Sequence, residues 1–267
     1  MTITTLAQLQ AAPKQRINFT KTSNQAADSV NNWLSNIGLG GSISGTLAGS
    51  NTTTGLVPVA NNNTGYPLIS TFGSGATGYL SNFVYSGVTA GSMQMYDCLW
   101  KGGAFSASTS YPSITSASFA SRVPSGTDFT GLELWYQVVT AGNTASVLTI
   151  TYKDENAVSK TISYSTTSGA AQVPNGCIQI PIITKGISGI SAVQSSSTTG
   201  TYNILIMRKI AGSRSTVSGG DPIDCTLDIL STGLARIYQT SALCFLQTCG
   251  ASGVTGIFNV KLEIANG

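Results

Sequence analysis

Residues 132–152 read LELWYQVVTAGNTASVLTITY and contain two strand-like apolar runs, 132–139 and 146–152, joined by the polar loop TAGNTA. Aromatic and β-branched residues bounded by Gly, Asn and Ser are typical of β-strands. The run KTISYS (160–165) comes next, after the charged segment KDEN (153–156), which marks an exposed turn. This part of the chain is therefore predicted to be a series of strands joined by short polar connections.

Runs of the same kind recur at spacings of roughly 8–15 residues, which is typical of a β-sandwich or barrel. They cover 79–86, 177–183, 190–194, 201–210, 243–248 and 256–264. The sequence thus predicts a mainly β protein: an antiparallel β-sandwich or jelly-roll-like body over residues 79–267, with an N-terminal arm and one or two short helices.

Two segments carry helical spacing. Residues 24–37 have apolar side chains three and four positions apart and end in GLGG, a glycine C-cap signal. In DPIDCTLDIL, Asp221 is a candidate N-cap and Pro222 stands at the first helical position, which predicts a helix over 222–230. A shorter helical stretch is predicted over 4–12.

Residues 1–78 are predicted to form an arm, helix and glycine-rich loop region distinct from the body. Within it, INFTKT (17–22) alternates like an extended strand, and the basic residues precede the first acid of the chain. We expect residues 12–22 to become ordered against a partner; the alternative is an ordinary first strand of the chain's own sheet. The candidate partner-binding residues are Lys14, Arg16, Asn18, Phe19 and Lys21.

The stretch GSGATG (73–78) fits the glycine spacing of a dinucleotide-binding loop. That site requires a helix after the glycines, to place its N-terminus at the phosphate. The residues that follow, YLSNFVYS (79–86), alternate at period two and favour a strand instead. We interpret 73–78 as a glycine-rich turn, and no cofactor is predicted.

Composition argues against most other activities. Only 9% of residues are charged, the net charge is +3, and histidine is absent. Without histidine, Ser-His-Asp and Cys-His mechanisms and His-ligated zinc cannot be built from this chain. The net charge is too small to indicate nucleic-acid binding, and the basic cluster RKIAGSR (208–214) is interpreted as a solvated strand end. The sequence contains no run of about 18 apolar residues, so no membrane span is predicted. Residues 1–16 do not resemble a secretory signal, because they lack an apolar core of the expected length.

A pair of carboxylates is the remaining catalytic possibility. Asp128 and Glu133 flank a strand start near Trp135, which would suit hydrolysis of a glycan. The alternative, which we favour, makes Asp128 a turn residue and Glu133 one polar position of an alternating strand. The sequence therefore predicts no enzyme and no catalytic residues.

Two further groupings would suit a metal site or a cross-link. Asp221, Asp224 and Asp228 would suit calcium, but acids in the first turn of a helix also complement its dipole, and we favour that explanation. The five cysteines are odd in number and lack C-x-x-C, which favours free thiols made in a reducing cytoplasm. A Cys244–Cys249 pair across a turn is the alternative.

Seven stretches together resemble a family of virion structural proteins of tailed bacteriophages, from about residue 12 to the end of the chain. They are APKQRINFTKT (12–22), GTLAG (45–49), GLVPVANNNTGYPLISTFGSGATGYLSNFVYS (55–86), YDCLWKGGAF (96–105), SRVPSGTDFTGLELWYQVVTA (121–141), DPIDCTLDILSTGLARIYQTSALCFL (221–246) and EIANG (263–267). These are packing and turn patterns and contain no catalytic signature.

The resemblance implies a capsid decoration (cement) protein on the outside of the virion, made in the host bacterial cytoplasm. Its expected partners are the major capsid protein and further copies of itself in a homotrimer, with no nucleic acid and no membrane. Two alternatives remain open: a tail fibre or receptor-binding module that contacts host glycans, and a tail or neck component.

Overall fold

The computed structural model describes residues 3–22, 33–87, 91–166, 173–197, 199–215, 223–249 and 258–267. Its strands are β1 (Lys14–Lys21), β2 (Trp33–Ser35), β3 (Asn51–Leu56), β4 (Gly78–Gly87), β5 (Gly91–Ser106), β6 (Leu132–Thr140), β7 (Val147–Asp154), β8 (Ser159–Ser165), β9 (Gly176–Ile180), β10 (Ile187–Ser195), β11 (Thr201–Ser215), β12 (Ile223–Leu227), β13 (Arg236–Ile237), β14 (Leu243–Cys249) and β15 (Phe258–Asn266). The helices are α1 (Leu6–Ala11) and α2 (Ile229–Thr232), and 3₁₀ turns cover Asn62–Thr64, Ala120–Arg122 and Pro124–Gly126.

The central sheet closes on itself. Its strands follow the order β11-β6-β9-β2-β14-β5, and β11 pairs with β6 on one side and with β5 on the other. The closed sheet of these six strands is called the central barrel below. β3 pairs with residues 101–103 of β5, beyond the part of β5 (91–97) that pairs with β14.

Two further sheets flank the central barrel. One has the order β1-β15-β4-β12, with the short β13 also on β4, and the other has the order β10-β7-β8. Neighbouring strands in both are antiparallel. The sequence prediction of a mainly β, antiparallel body with few short helices is confirmed.

The strands of the barrel bury side chains on both faces. In β6, Leu134 and Tyr136 point to a core shared with β7 and β10, whereas Trp135 points into the barrel interior. In β14, Phe245 points to the core under the β1-β15-β4-β12 sheet, whereas Cys244 points inward. Since side chains alternate across a strand, three separate cores arise from one closed sheet and its two covers.

The barrel interior is aromatic and sulfur-rich. Tyr96 and Trp135 meet edge to face, with ring centroids 5.5 Å apart. Cys98, Cys177 and Cys244 are free, buried thiols in the same cluster. Burial raises the pKa of Cys98 to about 11 and that of Cys244 to about 12, and it also raises the pKa of Cys177, because the thiolate form loses its hydration.

A buried ion cluster lies at the wall of the barrel. Asp97 on β5 is 0% exposed and accepts from Arg122 Nη1 at 3.1 Å and from the hydroxyl of Ser241 at 2.7 Å. The backbone N–H of Ala242 donates to the same carboxylate, and Arg208 on β11 lies 3.4 Å from its Oδ2. Arg122 also donates to backbone carbonyls on β5. Both carboxylate oxygens are therefore satisfied by groups from three different parts of the chain.

Two of the predicted helices are corrected by the structure. Within 24–37, residues 33–35 form β2, whose Leu34 is 1% exposed between β9 and β14, and residues 23–32 lie outside the described part. Within 222–230, residues 223–227 form β12, paired with β4 over 83–87. The gain from closing or extending a sheet outweighs the weak helical preference of these short segments. The predicted helix over 4–12 is confirmed as α1.

The first 78 residues contribute strands to both the barrel and a flanking sheet. β1 pairs with β15, β2 lies between β9 and β14, and β3 pairs with β5. The boundary at residue 78 stays a prediction.

We expect Asp97→Asn to lower the free energy of unfolding by about 3–5 kcal/mol, because it leaves the buried guanidinium of Arg122 without a counter-charge. Equilibrium urea unfolding measures this change. The matched control is Asp128→Asn, an exposed turn residue, which should stay within about 0.5 kcal/mol of the wild type. Equal stability of the two variants would contradict the role given to the buried cluster.

Stability should fall as the pH rises from about 9 to about 11. A thiol in the unfolded chain ionises near 9, whereas Cys98 in the barrel ionises only at about 11, so the unfolded state loses its proton first. The native state is therefore increasingly disfavoured across this window. Urea unfolding at a series of pH values should give a flatter pH slope for Cys98→Ala. Met207→Ala, a buried change in the same cluster, should lower stability without altering that slope.

Candidate interaction surface

The candidate interaction surface is built on β1, the edge strand that carries the residues predicted to bind a partner. Ile17 and Phe19 point toward the core, and Arg16 and Asn18 point to solvent. Phe19 is 4% exposed and meets Phe245 edge to face at 5.1 Å. The period-two pattern seen in the sequence thus anchors this strand to the chain's own body.

Lys21 is buried and holds a neighbouring loop. Its Nζ donates to the carbonyl of Leu39 at 3.3 Å and to the carbonyl of Ile43. Burial lowers its pKa to about 8, because the ammonium loses part of its hydration. The side chain therefore fastens the segment 39–43 to the end of β1 and leaves no free charge at the surface.

The outward face of β1 carries an exposed ionic group. Arg16 Nε donates to Glu263 Oε2 at 3.2 Å, and Lys14 Nζ lies 3.9 Å from Glu263 Oε1. The hydroxyl of Ser81 also donates to this carboxylate, at 3.2 Å. The Arg16 side chain is nevertheless 77% exposed, so these ion pairs contribute only about 0–1 kcal/mol each.

The charge of this group is positive. Lys261, the next outward-facing residue of β15, is exposed and adds a third cation beside Glu263. Glu263 forms ion pairs with Lys14 and Arg16, and no described acid pairs with Lys261, so these three cations and one acid leave two positive charges in excess. In a chain with so few charges, that excess is a local feature of the surface.

Two adjoining clefts meet at β1. The larger, of about 670 Å³, lies along its outer edge and is lined by Arg16, Ile17, Asn18, Ser42, Ile43, Ser44, Asn62, Asn63 and Leu68. The smaller, of about 410 Å³, lies over the sheet and is lined by Arg16, Asn18, Asn82, Val84, Lys261, Leu262 and Glu263. We call the first the edge cleft. Its volume is within the range of ligand-binding clefts, about 300–1,000 Å³.

The structure separates the five predicted partner-binding residues into two groups. Lys14, Arg16 and Asn18 lie on the outward side of β1, whereas Phe19 and Lys21 are buried within the chain. A partner-binding role for the outward group stays a prediction. The sequence missed the other walls of the clefts, because residues 42–44, 62–63, 68, 82, 84 and 261–263 are brought to β1 only by folding.

The other candidate sites take ordinary structural roles. In 73–78, the N–H of Ala76 donates to the carbonyl of Gly73 at 2.9 Å and β4 begins at Gly78, so the glycine-rich turn is confirmed. Gly75 has φ +69°, a left-handed conformation that favours glycine. With a strand after the turn, the geometry does not fit a dinucleotide site.

The proposed carboxylate pair does not form a glycan-cleaving groove. Trp135 is 1% exposed inside the barrel, and its indole N–H donates to Glu133 at 2.9 Å. Asp128 accepts from the N–H of Thr130 at 3.0 Å, which is the turn role that the sequence favoured. A buried indole cannot stack on a sugar, so this arrangement offers no substrate face.

The remaining acids and cysteines do not assemble a metal site in the part of the chain that is described. There, no group of three or more His, Cys, Asp or Glu residues could hold a metal ion. Asp228 caps α2 by accepting from the N–H of Ser231 at 2.9 Å, while Asp221 and the side chain of Asp224 lie outside the described residues. Cys244 is a free thiol, so the Cys244–Cys249 alternative is wrong.

Arg208, in the basic cluster 208–214, does not have the role that the sequence indicated. Its side chain reaches Asp97, and it donates to the carbonyl of Arg236 at 3.0 Å, so it serves the buried ion cluster. Over the described ranges, no helix is long and apolar enough to cross a membrane.

Comparison with known proteins gives no family assignment. No protein-family model matches the chain, and no curated protein matches it. Among solved structures, the VP2 subviral particle of infectious bursal disease virus aligns with 96% of this chain and 80% of its own, at 9% identity and a TM-score of 0.19.

Two other solved structures align at similar levels. VP1 of trichodysplasia spinulosa-associated polyomavirus, in complex with GM1 oligosaccharide, aligns with 95% of this chain and 94% of its own, at 11% identity and a TM-score of 0.15. The CBM22-1-GH10 modules of Clostridium thermocellum xylanase 10B align with 92% of this chain and 28% of their own, at 9% identity and a TM-score of 0.15. These scores are too low for any of the three to support a functional argument.

The placement of β1 is tested by two neighbouring substitutions. We expect Phe19→Ala to lower the free energy of unfolding by about 3–5 kcal/mol, because it removes a buried aromatic side chain from the core. Asn18→Ala, one position away on the outward side, should change it by no more than about 0.5 kcal/mol. Urea unfolding of the isolated protein measures both. Two equally small effects would indicate that β1 is an arm that becomes ordered only against a partner.

Proposed function

We propose that the protein is a structural component of a virus particle, and specifically a decoration protein on the outside of a tailed-phage capsid. The observation that carries this proposal is the surface of β1: an accessible, positively charged strand edge anchored to a rigid β body. Strand edges and rim charges are means by which proteins attach to one another. That the particle is a tailed phage is inferred from the sequence resemblance to virion structural proteins of tailed phages.

The interior of the molecule supports a structural role. The described strands bury aromatic and aliphatic side chains on both sides of the barrel wall, and the fully buried charge of Asp97 is used to join chain segments. The thiols have pKa values raised by burial, which makes them poor nucleophiles. These groups stabilise the fold, which is consistent with a structural role.

The partners that follow from this proposal are the major capsid protein and further copies of the chain. Lys14 and Arg16 lie at the rim of such a contact, where exposed charges mainly steer association and set its salt dependence. A homotrimer on the capsid exterior is the assembly that we propose. Contact with host glycans as part of a tail fibre is the second candidate, and the burial of Trp135 leaves it without the stacking surface that the sequence offered.

A reconstruction of the purified virion tests the location directly. We expect density for this chain on the outer surface of the head shell, in copies related by local three-fold symmetry. Density confined to the neck, tail tube or fibres would replace the decoration role by one of the alternatives. Absence from the particle would overturn the structural role itself.

Attachment to heads assembled without this chain tests the surface. The double variant Lys14→Gln/Arg16→Gln should weaken attachment by about 2- to 30-fold and reduce its dependence on salt, because exposed rim charges contribute about 0.2–1 kcal/mol each. The matched control is Lys153→Gln/Lys185→Gln, which removes two exposed lysines from elsewhere on the body. Equal weakening by both pairs would mean that only the net charge matters.

A further inference from the structure

The outer edge of β1 presents backbone groups that the rest of the described chain does not use. The N–H of Asn266 donates to the carbonyl of Pro13, so Pro13 and Asn266 form a hydrogen-bonded pair of the antiparallel ladder. With the register of β1 on β15, the odd-numbered residues of β1 then bond to β15 and the even-numbered ones face away. The N–H and C=O groups of Arg16 and Asn18 therefore point into the edge cleft, and no described residue bonds to them.

Both ends of this free edge are already occupied by the chain itself. At one end, Ser42 donates its N–H to the carbonyl of Thr20, and its hydroxyl accepts from the N–H of Thr20. At the other end, the side-chain carbonyl of Gln15 accepts from the N–H of Ser70 at 2.8 Å. Between these two contacts, no described segment bonds to the edge of β1, and the edge cleft opens over Arg16 and Asn18.

We propose that this edge cleft accepts a short extended segment of another protein, which pairs with β1 through the backbone of Arg16 and Asn18 and places a carboxylate against the Arg16 guanidinium. Strand addition of this kind takes its affinity from main-chain hydrogen bonds and its specificity from side-chain pockets. An unpaired strand edge is the template that it requires.

The charge of the surface selects an acidic segment. Arg16 bonds to Glu263 through Nε, and its two terminal nitrogens have no described partner, so they can receive a carboxylate in the two-pronged geometry that arginine favours. Lys14 and Lys261 add to the positive potential around it. A basic segment would meet this potential unfavourably.

The shape of the cleft disfavours a second copy of β1 as the occupant. β1 is backed on its other side by β15, so a second β1 would bring its whole sheet, whereas the cleft is walled by residues 42–44, 62–63 and 68. A single flexible segment fits between these walls. The described lining contains no aromatic ring, so a stacked sugar is also not favoured.

That the segment belongs to a neighbouring shell protein rests on the function proposed above, whereas the cleft and its chemistry do not. The test uses the ¹⁵N-labelled full chain and a pentapeptide of alternating threonine and valine with a central glutamate. Two further peptides carry glutamine or lysine at the centre. We expect the amide resonances of Arg16 and Asn18 to shift, the glutamate peptide to bind tightest, and the lysine peptide to bind weakest.

Three variants separate backbone pairing from charge. Asn18→Pro removes the N–H that faces the cleft and leaves the pairing with β15, since proline is tolerated where an edge N–H is not part of the ladder. Its control is Thr161→Pro on the edge strand β8, whose N–H also faces away from its paired strand. Arg16→Gln should reduce the preference for glutamate over glutamine about tenfold, the effect of one charge-assisted hydrogen bond.

The outcomes distinguish this proposal from the function. Loss of peptide binding in Asn18→Pro but not in Thr161→Pro, with both variants folded by thermal melting, supports the strand pairing. If Asn18→Pro does not fold, retention of the glutamate preference in Arg16→Gln overturns the proposal by itself, and so does equal binding of the three peptides by the wild type. If the wild type attaches to heads and both cleft variants attach equally well, the cleft proposal fails while the proposed function stands. If the wild type binds the glutamate peptide but does not attach to heads, the cleft proposal stands and the proposed function fails.

Discussion

The double pairing of β11 is the constraint on which the rest of the structure depends. By bonding to β5 along one edge and to β6 along the other, it closes the central sheet and removes the free edges that an open sheet would expose. Closure creates an interior that is filled by side chains from the inward faces of the strands, together with Ile37, Tyr66 and Ala242 from connecting segments. It also leaves the outward faces apolar, and these must be covered. The two flanking sheets are that cover, so the three cores follow from one topological event.

Closure brings irregular segments together at the barrel wall, and Asp97 is placed where they meet. A buried ion pair is weak evidence for stability in itself, because desolvation offsets much of the attraction. Its value in this fold is geometric: the carboxylate accepts from a 3₁₀ turn, from the loop before β14 and from β11 at once. Hydrophobic packing is tolerant of small shifts, whereas this set of directional bonds is satisfied by one arrangement. The cluster therefore specifies the position of segments that the strands alone do not fix.

The small number of charged residues also determines the character of the surface. With 9% of residues charged and several of those charges buried or paired within the chain, exposed ionic groups are few. The group around Arg16 differs from its surroundings because two cations on β1 pair with a single acid, Glu263, while the cation Lys261 on β15 lines the same cleft. It lies beside a strand edge whose backbone groups, at Arg16 and Asn18, bond to no described residue. Charge and main-chain capacity occur at one place, which is why this surface carries both the functional proposal and the acidic-segment proposal.

About the fold, local pattern was sufficient for the class and for most strands, because side-chain period and turn residues are properties of short segments. It correctly separated the glycine-rich turn at 73–78 from a nucleotide site, and the absence of histidine excluded whole classes of chemistry. It misjudged the segments 33–35 and 223–227, where pairing with distant strands overrides a weak local preference.

The candidate site shows the same division. The alternation in residues 14–21 is local and was readable, but whether Lys21 faces solvent or the carbonyls of Leu39 and Ile43 depends on a loop folded beside it. Likewise, Arg16 meets Glu263 only because β1 pairs with β15, and the two residues are 247 positions apart in the sequence. The sequence by itself determined the period-two pattern of the strands, the mainly β fold class and the histidine-dependent mechanisms that the chain cannot build. Only the tertiary structure decided which edges stay open and which charges stay exposed, because strand partners are chosen by long-range packing that no short window records.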